Sequence, residues 1–396
     1  MSDTRKLKLC RIVTVPWTFQ TLLWGQMRCI AAHDIDLTLV SSPGPELELV
    51  ARDVGARAVC IPMERKPAPT ADLRSLVRLT RFLRRNRFDI VHSATPKAGF
   101  LAAWAGYFAR VPTRIHTFTG QPWVELKGLR RSIPRACDAL TARMTTHCYA
   151  DSHSQRAFLI AQGLANPQRI AVVGSGSIGG VDLQRFSLEK WGGARSIQTR
   201  RELGIPDDAQ VIIFVGRVTK DKGIRELVSA FEELAKIYAQ MHLLLVGPLE
   251  PERDPLPAET LQLIEKDHRI HRIGFHLEPE KYLAAADVFC LPSYREGFGS
   301  VAIEAAAMKL PTVVTQVTGL VDAVIDGVTG LLVPPKEVGP LAAALRRLIE
   351  SPEMGQAFGQ AGYRRVMRDF DAVSVNTAVV DEYFRLKVAH EVTMRS

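Results

Sequence analysis

Hydrophobic residues occur in short runs that alternate with stretches of helical periodicity along most of the chain. In the first part of the chain, apolar runs that predict strands lie at 7–15, 35–42, 58–62, 88–92, 113–118 and 146–150. Stretches with helical periodicity lie between some of them, at 22–32, 72–86 and 98–109. Such alternation is typical of βαβ units with a parallel sheet. Residues 1–185 are therefore predicted to form a doubly wound α/β domain.

The alternation begins again at residue 211, after a region that lacks it. The polar stretch 186–209 is predicted to link two domains because it has too few apolar residues to form a core. The second domain, 210–375, is predicted to contain a strand at 211–215, a helix at 224–237, a strand at 242–246, a helix at 256–266 and further elements at 270–274, 280–286, 288–291, 300–308, 311–315, 320–325 and 331–333. A last helix, 376–396, follows, and whether it returns to the first domain is left open.

The composition excludes several classes of protein. Of the 396 residues, 46% are hydrophobic and 23% are charged, which is typical of soluble globular proteins. No run approaches the roughly 20 apolar residues that span a bilayer, and the first residues predict a strand rather than a signal peptide. The six cysteines are scattered without metal-ligand spacing, so we expect reduced core residues in a cytosolic protein.

Two loops carry candidate chemistry, because ligands of open parallel sheets bind beyond the carboxyl ends of strands. The loop after 211–215 runs from Gly216 to Gly223. Its glycines allow close backbone approach to an anion at a helix start, and Arg217 and Lys222 could neutralise a diphosphate. It is neither a Walker loop nor a dinucleotide fingerprint, and a solvated turn is the alternative.

The second loop follows the strand 287–291 and leads into a helix that carries Glu304. Small apolar residues surround Glu304 in the sequence, where an unpaired carboxylate would be costly, and a ribose diol would supply two hydrogen-bond donors. Gly297 and Gly299 offer backbone amides to a sugar or phosphate. The alternative is that Glu304 pairs locally on an exposed face.

These residues together resemble glycosyltransferase family 4. The resemblance rests on Glu296 and Glu304 within the segment EGFGSVAIEA, combined with Gly216-Arg217 and Lys222-Gly223. It extends through residues 273–275, 284–289, 291–293 and 326–334, and so covers most of the second domain. One departure is Asp322, which stands where many relatives have Glu.

The resemblance implies a GT-B fold, with two Rossmann-like domains facing a cleft, and transfer with retention of anomeric configuration. It implies that Arg217 and Lys222 hold the donor diphosphate, Glu304 the ribose and Glu296 the donor sugar. The implied donor site comprises Gly216, Arg217, Lys222, Gly274, Phe275, Glu296, Gly297, Phe298, Gly299, Ser300 and Glu304. Gly274 and Phe275 would flank the base.

In the first domain, residues 91–99 and 114–123 resemble the branch that builds bacterial polysaccharides, O-antigens and capsules on polyprenyl-diphosphate carriers. Lys97, Thr119 and Gly120 are the implied acceptor residues. His116 is a catalytic candidate, and a hydrogen-bonded core histidine is the open alternative.

No metal and no cofactor is expected. Asp34 and Asp36, like Asp369 and Asp371, match the Asp-x-Asp spacing of metal-dependent glycosyltransferases. Their positions at a helix-to-strand turn and near the last helices point to coincidence. Basic side chains would take the metal's part in neutralising phosphate charge.

The basic excess lies entirely in the first half. Residues 1–185 hold 26 Lys and Arg against 13 Asp and Glu, a net +13, whereas the remainder carries −4. On the predicted helix 73–88, Leu73, Leu76, Val77, Thr80 and Leu83 would face the core, and Arg74, Arg78, Arg81 and Arg85 would lie opposite. Together with Lys127, Arg130, Arg131, Arg135 and Arg143, those arginines would attract anionic lipid and the carrier's diphosphate. A merely solvated arginine face is the alternative.

The function expected from the sequence is a retaining hexosyltransferase that uses a UDP-sugar and a lipid-linked saccharide at the inner face of the cell membrane. A sugar-nucleotide epimerase with the GT-B fold is one alternative, and a non-catalytic basic membrane-binding module is another. No nucleic-acid motif is present, so nucleic acid is not an expected partner. The sugar, the linkage and the oligomeric state are left open.

Overall fold

The structure is a computed structural model that describes residues 5–252 and 254–395, with side chains as far as residue 392. These residues form two compact units. The first unit comprises the chain up to Gly180 together with the segment from Ala372 onward, and the second comprises Val181–Asp371.

The first unit is built on a sheet of seven parallel strands, β1 (Leu7–Ile12), β2 (Ile35–Ser41), β3 (Arg57–Cys60), β4 (Ile90–Ala94), β5 (Thr113–Phe118), β6 (His147–Ala150) and β7 (Ile170–Ala171). The helices between them are α1 (Trp17–Thr21), α2 (Trp24–Ala31), α3 (Pro45–Val54), α4 (Pro69–Asn86), α5 (Pro96–Phe108), α6 (Leu129–Met144) and α7 (His153–Ala161). The strand order is β3-β2-β1-β4-β5-β6-β7, with Leu9 opposite both Leu37 and Ile90. The order therefore reverses between β1 and β4.

The second unit repeats this plan with six parallel strands. They are β8 (Gln210–Val215), β9 (Met241–Val246), β10 (Ile270–Gly274), β11 (Val288–Leu291), β12 (Thr312–Thr315) and β13 (Gly330–Val333). The helices are α8 (Leu188–Trp191), α9 (Ala194–Glu202), α10 (Ile224–Ala235), α11 (Ala258–Lys266), α12 (Pro279–Leu283), α13 (Ser300–Ala307), α14 (Leu320–Ala323), α15 (Val338–Glu350) and α16 (Pro352–Arg365). The order β10-β9-β8-β11-β12-β13 reverses between β8 and β11, as in Rossmann sheets.

The last helix, α17 (Ala372–Arg395), belongs to the first unit and packs on α2. Buried polar contacts hold it there. The Tyr383 hydroxyl accepts a hydrogen bond from Arg11 at 3.2 Å and lies 2.6 Å from Nδ1 of His92. None of the helices among the described residues is long and apolar enough to span a membrane.

The predicted linker 186–209 differs from the structure. It folds into α8 and α9 and belongs to the second unit, which begins at Val181 rather than at residue 210. Arg200 of α9 is buried and donates to the carbonyls of Ala285 and Ala209 at 2.9 Å. A polar helix can pack in this way because its buried guanidinium is well supplied with acceptors.

The predicted inward face of α4 also needs correction. Leu83 is buried as predicted, but Leu73 and Val77 are exposed, at 61% and 39%, and the other buried positions are Ser75 and Leu79. Ser75 tolerates burial because its hydroxyl donates to the carbonyl of Pro62. The exposed face of α4 therefore combines apolar side chains with the predicted arginines.

Candidate active site

Two loops meet at the centre of the second sheet, beyond the carboxyl ends of β8 and β11. Both strands are buried along nearly their whole length, which fixes the loops that follow them. Ligands of such sheets bind where the strand order reverses. The loops at this point contain residues 216–223 and 292–299. The structure thus brings together two segments that the sequence analysis identified separately.

The two loops are in direct backbone contact. Gly223 has φ +70, and a Cβ there would lie 2.0 Å from the carbonyl oxygen of Pro292, so only glycine fits. The amide of Tyr294 donates to the carbonyl of Asp221 at 2.9 Å. Gly299 has φ +85, and a Cβ there would lie 2.3 Å from the Leu320 side chain. These contacts fix the loops against each other and against the start of α14.

Lys222 and Glu296 form an ion pair between the two loops. Ser293 also donates to Oε1 of Glu296, at 2.8 Å. The Lys222 and Glu296 side chains are 14% and 15% exposed, so each reaches solvent only in part. Lys222 could therefore bind an anionic group of a ligand, and Glu296 could accept hydrogen bonds from a hydroxyl group beside it.

Arg217 occupies the same loop and is held by two carboxylates. Its Nη1 lies 3.1 Å from Glu250 and its Nη2 lies 3.4 Å from Asp221. Burial alone would lower the pKa of Arg217, but the charges of Asp221 and Glu250 outweigh it and raise the pKa. Arg217 is therefore a permanent cation at this site.

Sequence reasoning missed two residues of this cluster, Arg295 and Asp221. Arg295 lies beside Glu296 and pairs with Asp221 at 2.7 Å. Their only sequence signal is charge within turn segments, which is common in solvated loops.

Glu304 lies on α13, where small side chains pack closely. Burial raises its pKa to about 7, with Arg185 opposing the shift and Glu280 adding to it. Arg185 is itself held by Glu280, with Nε and Nη2 each 3.0 Å from a carboxylate oxygen. Glu304 can thus exchange a proton near neutral pH.

The other implied donor residues lie along the same carboxyl edge of the second sheet. Gly274 ends β10 with φ +78, and Phe275 beside it is 48% exposed. Gly319 has φ +88, and a Cβ there would lie 2.6 Å from the carbonyl oxygen of Gly297. Phe298 is buried, and Ser300 begins α13.

Lys97, an implied acceptor residue, is held by contacts within the first unit. Its ammonium group lies 2.7 and 2.8 Å from the two carboxylate oxygens of Asp72 and 2.7 Å from the carbonyl of Lys66. The side chain therefore ties α5 to the start of α4. Thr119 and Gly120, which follow β5, are half-buried.

His116 lies inside β5 and is buried. Its Nδ1 is 3.0 Å from the Ser93 hydroxyl, and its ring packs edge-on against Phe118. Burial lowers its pKa to about 3. These are the surroundings of a neutral core histidine, and they favour the structural alternative over a catalytic role.

The switch point of the first sheet presents a polar pair that sequence reasoning missed. The hydroxyls of Thr14, after β1, and Thr95, after β4, are 2.8 Å apart. Thr95 has φ +74, which is rare for a β-branched residue and is often found at ligand sites. The Thr-Pro pair that starts α5 was the available signal.

In the part of the chain that the structure describes, no group of three or more His, Cys, Asp or Glu residues could hold a metal ion. Asp34 lies 3.2 Å from Lys6, and Asp369 lies 2.7 Å from Arg368. Neither Asp-x-Asp pair lies in the two loops at the β8/β11 switch point.

The basic surface of the first unit also carries exposed apolar side chains. Arg74, Arg78, Arg81 and Arg85 are exposed on α4 beside Leu73 and Val77. At the start of α6, Leu129 is 79% and Ile133 61% exposed, next to Arg130 and Arg131. We call these two groups the apolar-basic surface.

Comparison with known proteins assigns both halves of the chain to sugar-transferring families. Residues 20–176 match the family described as glycosyl transferase 4-like domain, and residues 196–365 match glycosyl transferases group 1. The capsular polysaccharide biosynthesis glycosyltransferase CapM of Staphylococcus aureus is 30% identical over 365 residues, covering 92% of this chain and 93% of that protein.

Solved structures of the same fold cover nearly the whole chain. HepE of Anabaena, in complex with UDP and glucose, has a TM-score of 0.79 at 18% identity and covers 95% of this chain and 99% of its own. A glycosyltransferase from Rickettsia africae has a TM-score of 0.77 at 18% identity, covering 96% and 98%. At this identity the similarity establishes the fold alone. The two family matches and the full-length similarity to CapM show that the chain belongs to the group 1 glycosyltransferases, glycosyltransferase family 4, with the GT-B fold of two Rossmann-like domains.

Proposed function

We propose that this protein is a retaining, metal-independent glycosyltransferase that transfers a sugar from a UDP-sugar to a lipid-linked saccharide. The observation that carries the proposal is the meeting of Arg217, Lys222 and Glu296 at the β8/β11 switch point. The structure of HepE with UDP and glucose supports a UDP-sugar as donor.

In the proposed reaction the acceptor hydroxyl attacks the anomeric carbon from the face that the diphosphate leaves. Arg217 and Lys222 stabilise the charge that develops on the leaving diphosphate. Glu296 binds hydroxyl groups of the donor sugar, and Glu304 accepts hydrogen bonds from the ribose diol. The leaving phosphate takes the acceptor's proton, so neither glutamate is assigned as a nucleophile.

The acceptor assignment rests on CapM and on the apolar-basic surface. CapM is described as acting in capsular polysaccharide biosynthesis, and we propose a role of that kind, in cell-surface polysaccharide synthesis, for this chain. A carrier lipid would keep the acceptor at the cytoplasmic face of the membrane. Arginines beside exposed Leu129 and Ile133 suit a surface with anionic head groups and an apolar interior.

The test is a transfer assay with radiolabelled UDP-sugars, with and without extracted polyprenyl-diphosphate-linked saccharide. We expect label to move to lipid only when the carrier is present, with excess chelator having no effect and the product keeping the donor's anomeric configuration. A modified free nucleotide sugar, formed without any carrier, would instead identify an epimerase. Activity that chelator abolishes and manganese restores would remove the metal-independent assignment.

A further inference from the structure

Arg295 is a third basic side chain at the place where we put the donor diphosphate. Its Nη2 lies 2.7 Å from Oδ2 of Asp221. The same oxygen lies 3.4 Å from Nη2 of Arg217. One carboxylate oxygen thus holds two guanidinium groups that come from different loops.

Asp221 is fixed in this position by contacts on its other atoms. The Thr219 hydroxyl donates to Oδ1 at 2.6 Å, and the Asp221 amide donates to Asp254 at 2.6 Å. Its carbonyl accepts from the amide of Tyr294 at 2.9 Å. Burial would raise the pKa of Asp221, but the Thr219 hydrogen bond and the charges of Arg295 and Arg217 lower it, so the carboxylate is ionised at neutral pH.

The charges of this cluster balance through pairing. Arg217, Arg295 and Lys222 face Asp221, Glu250 and Glu296. The two guanidinium groups meet at one oxygen, and the negative charge of this carboxylate offsets their mutual repulsion. A phosphate oxygen has the same charge sign and hydrogen-bonding capacity as the carboxylate oxygen of Asp221, and a diphosphate offers several such oxygens.

Arg295 is well suited to such an exchange. Its contact with Asp221 is made through Nη2, one of the three nitrogens of a guanidinium that carries five N–H donors. Its side chain is 22% exposed and that of Asp221 is 14% exposed, so solvent-borne anions can reach the pair. Planar guanidinium groups bind phosphate in two-pronged geometry, which a lysine cannot reproduce.

We propose that Arg295 binds the diphosphate of the donor together with Arg217, and that Asp221 is the counter-ion whose oxygen the phosphate replaces. This inference rests on the function proposed above. It adds a residue that recognises the phosphate part of the donor, and it assigns a role to Asp221. The exchange forms and breaks no covalent bond.

The test measures binding of UDP, inorganic pyrophosphate and uridine by calorimetry or NMR titration. For Arg295→Gln we expect affinity for UDP and for pyrophosphate to fall about tenfold or more, as for the loss of a charged hydrogen bond, with uridine binding unchanged. Arg295→Lys should recover part of the loss. Arg346→Gln is the matched control, because Arg346 is an exposed arginine whose carboxylate partner is Glu350, at 2.9 Å.

Asp221→Asn separates the two halves of the inference, because asparagine keeps the shape and the Thr219 contact but not the charge. We expect it to bind pyrophosphate as tightly as the wild type or more tightly, since the competing anion is gone. A tenfold weaker complex would overturn the exchange. Equal losses for UDP, pyrophosphate and uridine in Arg295→Gln, or no loss, would overturn the role of Arg295. A wild type that binds neither UDP nor pyrophosphate would instead overturn the proposed function itself.

Discussion

Lys222 and Glu296, 74 residues apart in the chain, form an ion pair across the two loops at the β8/β11 switch point. Each side chain is mostly buried, so removing one partner would leave the other charge poorly solvated. Each also orients the other. In the proposed reaction the pair lies where the diphosphate meets the donor sugar. The single ion pair therefore positions Lys222 for the diphosphate and Glu296 for the sugar.

Arg217→Ala and Lys222→Ala are each expected to lower turnover more than about tenfold. Each change removes a cation that stabilises the leaving diphosphate, which gains charge in the transition state. A rise of about 1.4 kcal/mol in the activation free energy suffices for a tenfold lower rate. The measurement is the initial rate at saturating UDP-sugar. Arg346→Ala, on the exposed surface, should keep the wild-type rate, and unchanged rates in both site variants would remove the phosphate assignment.

Much of this arrangement could be predicted from the sequence. Glycines at both ends of 216–223 and within 292–299 indicated backbone approach, and the strands before them were apolar enough to locate. The structure adds the reason for one of these glycines, because Gly223 leaves no room for a Cβ beside Pro292. The parallel topology then follows from the βα alternation.

The errors arose where a polar residue is buried through hydrogen bonds. Arg200, within the predicted linker, is buried and donates to a carbonyl of the second unit, and Ser75 is buried on α4 whereas Leu73 faces solvent. The pairing of Arg295 with Asp221 could not be predicted either, because a contact between turns 74 residues apart depends on which strands are neighbours. Hydrophobic periodicity carries no information about such contacts.

Donor affinity is expected to fall as the pH is lowered from 8 to 6. Burial raises the pKa of Glu304 to about 7, and the ionised carboxylate accepts hydrogen bonds from a ribose diol more strongly than the protonated group does. The measurement is the dissociation constant of UDP across this range. Glu304→Gln should bind UDP more weakly at pH 8 and lose most of the pH dependence, whereas an equally steep profile in this variant would assign the titration to another group.

The same substitution is expected to stabilise the ligand-free protein at high pH. Because the folded-state pKa of Glu304 lies above the unfolded value of 4.5, the folded state binds the proton more tightly, and stability falls as the pH rises from 4.5 through about 7. Glu304→Gln avoids ionisation of this carboxyl in its half-buried site. Its Tm should therefore exceed that of the wild type by a few degrees at pH 8 and by less at pH 5. A lower Tm at pH 8 would mean that Glu304 holds the fold together.

The purified protein is expected to bind vesicles that contain anionic lipid and to dissociate as salt rises. The net +13 of residues 1–185 is attracted to the surface through a field that salt screens over about 8 Å at physiological ionic strength. Neutral vesicles should bind poorly. The measurement is vesicle co-sedimentation across a salt series.

Two sets of substitutions divide this surface into its electrostatic and apolar parts. Changing Arg74, Arg78, Arg81 and Arg85 to Gln should weaken vesicle binding most at low salt. Changing Leu129 and Ile133 to Ser should weaken it by a similar factor across the salt series, because salt does not screen apolar contacts. Both variants should bind UDP as the wild type does, since none of the altered residues lies in the second unit. Turnover on a lipid-linked acceptor should fall in both. If both variants bound vesicles as well as the wild type, the apolar-basic surface would be only a solvated face. If vesicle binding by the wild type depended on neither salt nor lipid charge, the basic residues of 1–185 would serve another partner.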